Sequence, residues 1–187
     1  MQRPEMHLED EVLDERRQGA LTDEGAPDLL SYGFHDSGNA QRLIALYGES
    51  MLFCHALKKW LVWDGKRWAV DDVDHARKLA KETMLKFFRQ AGEARNQPAE
   101  TFARHSLDAR RINSMLSLAE PEIFVRPEEL DTDPYLLNFT NGTVDLRTGK
   151  LQPHDRGQCI TKLIHFDYRP GATCPRWRAF LDQIMGG

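Results

Sequence analysis

Residues 136–154 constrain the fold of this chain more than any other stretch. They read Leu-Leu-Asn-Phe-Thr-Asn-Gly-Thr-Val-Asp-Leu-Arg-Thr-Gly-Lys-Leu-Gln-Pro-His. Gly142 and Gly149 provide the backbone freedom that tight turns need, and Val144 and Leu146 alternate with polar residues at the period of a half-buried strand. The stretch therefore predicts three strands, joined first by an Asn-Gly turn and then by an Arg-Thr-Gly turn.

The whole chain has the length and composition of one globular domain with a tail. It has 187 residues, of which 41% are hydrophobic, so it can bury one core. No stretch approaches the roughly 18 apolar residues that a membrane-spanning helix needs, and no apolar segment follows the N-terminal charges. We therefore expect a soluble protein of the bacterial cytoplasm or the interior of a host cell.

The cysteines do not form a recognisable framework. The three residues Cys54, Cys159 and Cys174 lie far apart and contain no Cys-x-x-Cys pair. Disulfide frameworks and zinc sites usually need an even number or closely spaced pairs. We therefore expect reduced thiols with a structural role.

Charge is distributed unevenly along the sequence. The net charge is −4, but residues 1–36 carry ten acidic and three basic side chains, whereas residues 58–111 carry thirteen basic and eight acidic ones. The first segment contains several Gly and Pro and few large apolar residues, so it is predicted to be a disordered acidic arm. The basic middle could contact a polyanion such as DNA, although a solvated basic face is the commoner meaning of such an excess.

The other elements predict an α+β fold, in which helices pack around a small, mostly antiparallel sheet built from hairpins. Capping residues and periodicity place the helices, and alternation with turn residues places the strands. The predicted helices cover residues 37–48, 73–91, 97–105 and 106–120, with a short turn at 127–130 and a last helix at 175–185; further strands are predicted at 51–55, 59–63, 66–70 and 159–168.

Particular residues are assigned to helix starts and to inward-facing positions. Ser37 or Asn39 is expected to cap the first helix, Asp72 or Asp74 the long second helix, and Ser106 the fourth. The inward-facing residues of the first helix are predicted to be Leu43, Ile44, Leu46 and Tyr47, and those of the fourth Ile112, Met115, Leu116 and Ala119.

The long helix over residues 73–91 has two different faces. Its small or apolar positions recur at steps of three and four residues: Ala76, Leu79, Ala80, Thr83, Met84, Phe87 and Ala91. Arg77, Lys78, Lys81 and Arg89 fall on the opposite arc. We therefore expect one buried face and one basic face.

Asp64-Gly65 predicts a two-residue hairpin turn, which would put Trp63 opposite Lys66 and leave Leu61, Trp63 and Trp68 on one side of the ribbon.

Three tryptophans beside basic residues could form a platform on which single-stranded bases stack. These residues are Trp60, Trp63 and Trp68, with Lys58, Lys59, Lys66 and Arg67 around them. A core role for most of the tryptophans is the commoner case, and Trp63 is the best candidate for exposure.

Catalytic signatures are absent from the sequence. It has no phosphate-binding Gly-x-x-x-x-Gly-Lys-Ser/Thr loop, dinucleotide fingerprint, His-Glu-x-x-His pair or nucleophile elbow. One polar group could in principle bind a divalent metal for nuclease chemistry: Asp145, His154, Asp155, His165 and Asp167. Its spacing matches no recurrent ligand pattern, so we predict no metal site and no catalytic residue.

Several local motifs together resemble the domain that precedes the superfamily 3 helicase motor in phage, plasmid and poxvirus-type primase-helicases. They are Trp63-Asp-Gly-Lys-Arg-Trp68, Leu137-Asn-Phe-Thr-Asn-Gly142, Asp145-Leu-Arg-Thr-Gly149, Pro153-His154, Ile160-Thr-Lys162, Pro175-Arg-Trp177 and Phe180-Leu181. The resemblance covers about residues 39–184. The most family-specific residues are turn formers by their chemistry, so their expected role is structural: Asn138, Asn141, Gly142, Asp145, Arg147 and Gly149.

The resemblance implies an accessory domain at residues 37–173 and a helix at 174–187 that leads towards a helicase domain. The sequence ends where the family continues into that motor, so we interpret it as truncated. ATP and magnesium are expected only for the absent motor, and this chain itself should need no cofactor. The implied partners are DNA, most simply single-stranded, the helicase domain of the same polypeptide, and further copies in a hexamer.

Two hypotheses follow. In the first, the domain helps the helicase to engage DNA through one aromatic and six basic residues: Trp63, Lys66, Arg67, Arg77, Lys78, Lys81 and Arg89. In the second, it is a structural spacer or oligomerisation collar without direct DNA contact. Sequence alone does not separate them.

Overall fold

The computed structural model of the chain describes residue 25 and residues 27–185. Most of the predicted acidic arm, residues 1–24 and residue 26, therefore lies outside the described residues. The described chain forms two compact units. Unit 1 joins the segment up to Gly48 with Leu79–Ala119, and unit 2 joins Glu49–Lys78 with the segment from Glu120 onwards.

Within the described residues there are five α-helices and two three-stranded antiparallel sheets, which confirms the predicted α+β class. The helices are α1 (Asp36–Tyr47), α2 (His75–Glu93), α3 (Gln97–His105), α4 (Ala109–Ala119) and α5 (Pro175–Met185). The strands are β1 (Met51–Cys54), β2 (Lys59–Trp63), β3 (Trp68–Val70), β4 (Leu136–Phe139), β5 (Gly142–Asp145) and β6 (Lys150–Gln152). β1, β2 and β3 form the first sheet in that order, and β4, β5 and β6 form the second.

The core of unit 1 follows the apolar periodicity of its helices. The predicted inward positions of α2 in this unit are all buried: Leu79, Ala80, Thr83, Met84, Phe87 and Ala91. α4 buries the predicted Ile112, Met115, Leu116 and Ala119. Since burying one large apolar side chain stabilises a fold by about 1.5–3 kcal/mol, these two stripes account for much of the cohesion of the unit.

A fully buried arginine, which the sequence analysis did not place in the core, also organises unit 1. The Arg42 guanidinium donates to the carbonyls of Leu29 (2.8 Å), Tyr32 (2.6 Å) and Gly33 (3.0 Å), and lies 3.9 Å from the centroid of the Phe87 ring. Burial lowers the pKa of Arg42 to about 10, so the group stays cationic at neutral pH. These bonds fasten residues 29–33 to α1, so this described part of the predicted arm is folded.

Two predicted helix caps are wrong because other side chains take the role. His35 caps α1, accepting at Nδ1 from the Gly38 amide at 3.0 Å. Ser37 and Asn39, the expected caps, lie inside the helix. Asp71 caps α2, because its two carboxylate oxygens accept from His75 and Ala76 amides at 2.8 Å each.

Asp71 displaces both Asp72 and Asp74 as the cap of α2. The Asp71 carboxylate can curl forward over the exposed amides, whereas Asp74 lies next to the helix with a left-handed φ of 60°.

Ser106 does not start α4 but ends α3, and its buried hydroxyl accepts from Asn39 Nδ2 at 3.1 Å. The fourth helix begins three residues later than expected, at Ala109.

The first sheet has the predicted strands but a different hairpin loop. Trp63 pairs with Trp68 and Leu61 with Val70, so the loop has four residues rather than the two predicted, and Trp63 does not face Lys66. The cause is the Asp64 carboxylate, whose Oδ1 accepts from the Lys66 and Arg67 amides at 2.8 and 2.9 Å. Amides held by this side chain are not available to the strand ladder.

The second sheet confirms the strand and turn order predicted for residues 136–154. β4 pairs with β5 through Phe139 opposite Gly142, and β5 pairs with β6 through Asp145 opposite Lys150. Gly142 has a φ of 145°, and a Cβ there would lie 2.5 Å from the Gln152 carbonyl oxygen. A glycine is therefore required at this position both by backbone conformation and by space.

Residues 159–168 were predicted to be a strand and are not one. Only an isolated parallel bridge between Ile164 and Phe139 is present. Cys159 adopts a left-handed φ of 49°, and the next residues bond to side chains as well as to the backbone. The Thr161 amide, for example, donates to the Asp131 carboxylate at 2.9 Å. The segment therefore crosses the edge of β4 without joining its ladder.

Within the described part of the chain, no helix has the length and apolarity needed to span a lipid bilayer. The three cysteines are free thiols, with Cys54 buried, Cys159 half-buried and Cys174 exposed. Burial raises the pKa of the Cys159 thiol, which favours its protonated form.

Candidate nucleic-acid interface

The β2–β3 hairpin contains three of the predicted binding residues, Trp63, Lys66 and Arg67. Trp63 is half-buried and meets Trp68 edge-on, with 5.8 Å between ring centroids. Trp68 is buried and donates from Nε1 to the Arg156 carbonyl at 2.9 Å. The two rings share one apolar cluster with Leu52, Cys54, Leu61, Val125 and Leu130. Trp63 and Trp68 therefore serve the core of unit 2, and Trp63 presents only part of its ring to solvent.

The two basic residues of the hairpin loop have different surroundings. Arg67 is half-buried and donates from Nη1 to the Thr161 carbonyl at 3.1 Å, while its Nε lies 3.5 Å from the Asp64 carboxylate. Lys66 is exposed, and its ammonium forms no ion pair within the described residues. Lys66 therefore presents an available charge, whereas Arg67 ties the loop to residue 161.

The basic residues of α2 divide in the same way. In unit 2, Arg77 lies 3.5 Å from the Asp74 carboxylate, and Lys78 is exposed without an ion pair among the described residues. In unit 1, Lys81 and Arg89 are exposed, and neither forms an ion pair within the described chain. Because an α-helix advances 100° per residue, Lys81, Leu85 and Arg89 share one side of α2. Leu85 is 51% exposed, so this side is open to solvent.

Asn138 shows what one of the family-specific residues does. It is buried, and its Nδ2 donates to the carbonyls of Lys66 (2.9 Å) and Lys162 (3.1 Å). Its Oδ1 accepts from the Thr143 hydroxyl at 3.1 Å and lies 2.9 Å from His154 Nδ1. The amide thus uses its full bonding capacity to join the hairpin loop, the 160s segment and the second sheet.

The turn residues of the second sheet are also occupied by internal contacts. Asn141 exchanges two hydrogen bonds with the backbone of Tyr168, at 3.1 and 2.9 Å. Arg147 donates to Asp145 at 2.9 Å and to Asp133 at 2.7 Å. The hydrogen bonds from Arg147 lower the pKa of the Asp145 carboxyl, and those to Asp145 and Asp133 raise the pKa of Arg147. These residues therefore hold turns together.

The polar group considered for metal binding is not assembled into a site. His154 contacts Asn138, the Asp155 carboxylate accepts from the Gly157 amide at 2.9 Å, and Asp167 accepts from the Thr140 hydroxyl. Among residues 25 and 27–185, no three His, Cys, Asp or Glu side chains are arranged to hold a metal ion. Each of these three groups has a local bonding partner instead.

An aromatic surface at the β1–β2 turn joins Trp60, one of the predicted platform residues, to rings that the sequence did not point to. Phe53 is buried beneath it, with Trp60 at 5.0 Å and His55 at 4.8 Å between ring centroids, and the Phe124 ring is 6.3 Å from that of His55. Lys58 and Lys59 are exposed in the same turn and at the first position of β2, where Lys59 lies on the face of the strand opposite to Trp60. We call His55, Leu57, Lys58, Lys59, Trp60 and Phe124 the turn patch. The Lys58-Lys59-Trp60 run pointed to it, but nothing local indicated that Phe124 would join.

α5 begins at Pro175 as predicted but presents its apolar stripe to solvent. Trp177 is 56% exposed and Ile184 is 58% exposed, while Leu181 is half-buried. The Trp177 and Phe180 rings stack on each other with centroids 5.5 Å apart. The exposed tryptophan of unit 2 is therefore on this helix rather than in the hairpin.

The chain matches a known protein family. A family model described as D5 N terminal like matches residues 40–186, which is most of the described chain. A search of the curated proteins found no match.

Proposed function

From the premise that the chain belongs to the D5 N terminal like family, the N-terminal domain of phage, plasmid and poxvirus D5-type primase-helicases, we propose that it is a non-catalytic accessory domain that engages DNA beside an ATP-driven helicase motor. The DNA is most simply a single strand that is handed to the motor. ATP and magnesium belong to that motor in this proposal. The chain itself contributes contacts and geometry, and no reaction step.

Four exposed cations carry the proposal. Lys66, Lys78, Lys81 and Arg89 are exposed and, within the described residues, none of them forms an ion pair. Exposed cations without carboxylate partners are the groups that replace counterions on a nucleic-acid backbone. Arg67, Arg77 and Trp63 complete the proposed set in supporting positions, because each has a partner that holds it in place.

The expected affinity is low and insensitive to sequence. Three or four phosphate contacts give a slope of about −2 to −3 in a plot of log affinity against log salt for a single strand, and non-specific dissociation constants are on the order of 10⁻⁴ to 10⁻⁶ M. In a ring of several copies, linked weak sites bind more tightly without any new contact. Weak binding by one domain is therefore compatible with the role.

A charge-reversal pair with a matched control tests the proposal. The Lys81→Glu, Arg89→Glu double variant should weaken binding of a labelled oligonucleotide and make the salt slope shallower by about 1–2. The control, Lys150→Glu with Arg169→Glu, changes the net charge equally at two exposed residues of unit 2. Absence of binding by the unmodified chain at low salt, or equal effects of the two double variants, would reject the proposal.

A structural collar is the second candidate function, and the exposed stripe of α5 favours it. Trp177, Phe180 and Ile184 are each about half exposed, and apolar side chains grouped on one helix face usually mark an association surface. If the domain acts as a collar, sedimentation should show association that increases with concentration and disappears in Trp177→Gln, Phe180→Gln. A monomer at all concentrations would reject the collar and leave DNA engagement untouched.

A further inference from the structure

The turn patch combines exposed rings with cations in one short stretch of unit 2. Residues 55–59, which form the β1–β2 turn and the start of β2, are all exposed. Leu57 is 52% and Phe124 47% exposed. Leu57 and Phe124 are therefore accessible to a ligand.

Backbone hydrogen bonds of its two neighbours hold the main chain at Phe124 against β1. The Phe53 amide donates to the Ile123 carbonyl at 2.8 Å, and the Val125 amide donates to the Phe53 carbonyl at 3.0 Å. Phe124 thus stands between two residues that are tied to the edge of β1. Covering the ring therefore orders only the side-chain torsions of Phe124, because its backbone is already ordered.

The local charge of the patch is positive. Residues 53–60 contain Lys58 and Lys59 and no carboxylate, and residues 122–126 contain one acidic and one basic side chain, Glu122 and Arg126. Within the described residues, neither lysine forms an ion pair. Lys58 also adopts a left-handed φ of 52°, a conformation that favours glycine or asparagine, so a lysine is held there at some cost in backbone energy.

We propose that the turn patch binds a single nucleic-acid strand, with Phe124 and His55 stacking on bases and Lys58 and Lys59 contacting phosphates. Every base has a π-face, so such a surface binds without sequence preference, and rings next to cations are what single-strand binders combine. A protein partner is disfavoured because lysine is depleted at protein interfaces. The inference rests on the proposed DNA engagement and assigns it a contact surface at the β1–β2 turn, distinct from the β2–β3 loop and α2.

Stacking and charge can be tested separately with two probes. The first probe is a labelled oligothymidylate, and the second is an abasic sugar-phosphate chain of the same length and charge. Phe124→Ala should weaken binding of oligothymidylate about 5- to 150-fold, the range that corresponds to losing one stacked base. It should leave binding of the abasic chain unchanged. Lys58→Glu with Lys59→Glu should weaken binding of both probes and make the salt slope shallower.

The control is Phe166→Ala, because Phe166 is also exposed, at 65%, but lies outside the turn patch, the β2–β3 loop, α2 and α5. It should not change the affinity for either probe. Circular dichroism establishes that each variant is folded. Phe124→Leu keeps an apolar contact with His55 and removes the ring, so it should lose affinity for oligothymidylate even if the alanine variant is poorly folded.

The outcomes separate this inference from the proposed function. If Phe124→Leu binds oligothymidylate like the unmodified chain while Lys81→Glu, Arg89→Glu binds it weakly, the turn patch is not the base-contacting surface and DNA engagement stands. Equal affinity of the unmodified chain for the two probes also overturns the stacking claim. If the unmodified chain binds neither probe at about 50 mM salt, both proposals are rejected.

Discussion

Replacing Arg42 with methionine tests how a buried cation contributes to unit 1. Methionine keeps the length and most of the volume of the side chain but removes the guanidinium. Leu29, Tyr32 and Gly33 then lose a donor to their carbonyls, and Asn39 loses one to its Oδ1 at 3.2 Å. The attachment of residues 29–33 to α1 is therefore the feature that the substitution weakens.

The expected change in the free energy of unfolding is the balance of two destabilising contributions and one stabilising contribution. The fully buried acceptors on Leu29 and Asn39 cost about 1–3 kcal/mol each when left without a donor, whereas those on Tyr32 and Gly33 are partly buried and can bond to water. Losing the contact with the Phe87 ring costs about 0.5–2 kcal/mol. Removing the cation returns its burial cost, about 3 kcal/mol for a guanidinium whose pKa burial lowers to about 10. The net expectation is a destabilisation of about 2 kcal/mol.

Urea unfolding followed by far-ultraviolet circular dichroism measures this difference, because unit 1 is helical. Arg42→Lys should not restore stability, since one ammonium cannot reach carbonyls on three residues. The matched control is Arg89→Met, an exposed arginine on α2, which should change the free energy of unfolding by less than about 0.5 kcal/mol. If the Arg42→Met protein is as stable as the unmodified chain, the hydrogen bonds of the guanidinium contribute no more than the cost of removing the guanidinium from water.

Three further predictions concern two turn glycines, the pair of Asp145 and Arg147, and ATP hydrolysis. Gly142→Ala should destabilise the fold by about 1–3 kcal/mol, because residue 142 has a positive φ and the Gln152 carbonyl lies close to the new Cβ. Gly149→Ala should cost only about 1 kcal/mol, because residue 149 has a φ of 67° but no atom within 4 Å of the new Cβ. The midpoints of urea unfolding compare the two variants. Since Arg147 lowers the pKa of Asp145 below its ordinary value of 3.8, the pair stabilises the fold above that pH and stops doing so as the pH falls through the lowered pKa. In a plot of the free energy of unfolding against pH, Asp145→Asn should therefore lose less stability at acidic pH than the unmodified chain. An equal loss in the two proteins would contradict the assignment. The purified chain should hydrolyse no ATP with or without DNA, because its sequence contains no phosphate-binding loop; activity that co-purifies with the chain through a second column would refute this.

Elements with a strong local signal were predictable from the sequence. The inner stripes of α2 and α4 are buried as their spacing indicates, and the glycine turns of the second sheet lie where Asn141-Gly142 and Arg147-Thr148-Gly149 place them. In these cases hydrophobic period and turn chemistry point to the same structure. No partner far along the chain is needed to decide them.

The errors arose where a side chain competes with the backbone or where a distant partner decides. Asp64 binds two loop amides and lengthens the hairpin, and Asp71 reaches over residues 72–74 to cap α2. Residues 159–168 have the composition of a strand, but the Asp131 carboxylate and the edge of β4 take their hydrogen bonds. Arg42 was missed because arginine is rarely buried, and its carbonyl partners follow no sequence signature.

The residues by which the family is recognised and the residues proposed to meet DNA overlap only in the hairpin, at Trp63, Lys66 and Arg67. Asn138 connects the hairpin loop, residue 162 and the second sheet through four hydrogen bonds, and the loop that it holds carries the exposed Lys66. The recognition motif therefore fixes a framework, while the cations of α2 and the rings of the turn patch lie outside it. It follows that Asn138→Leu should act on DNA binding only through stability and loop position. If the variant unfolds at a lower urea concentration but keeps the salt slope of the unmodified chain, Asn138 supports the framework and does not contact DNA. If the variant is as stable as the unmodified chain but its DNA affinity no longer depends on salt, Asn138 belongs to the interface itself.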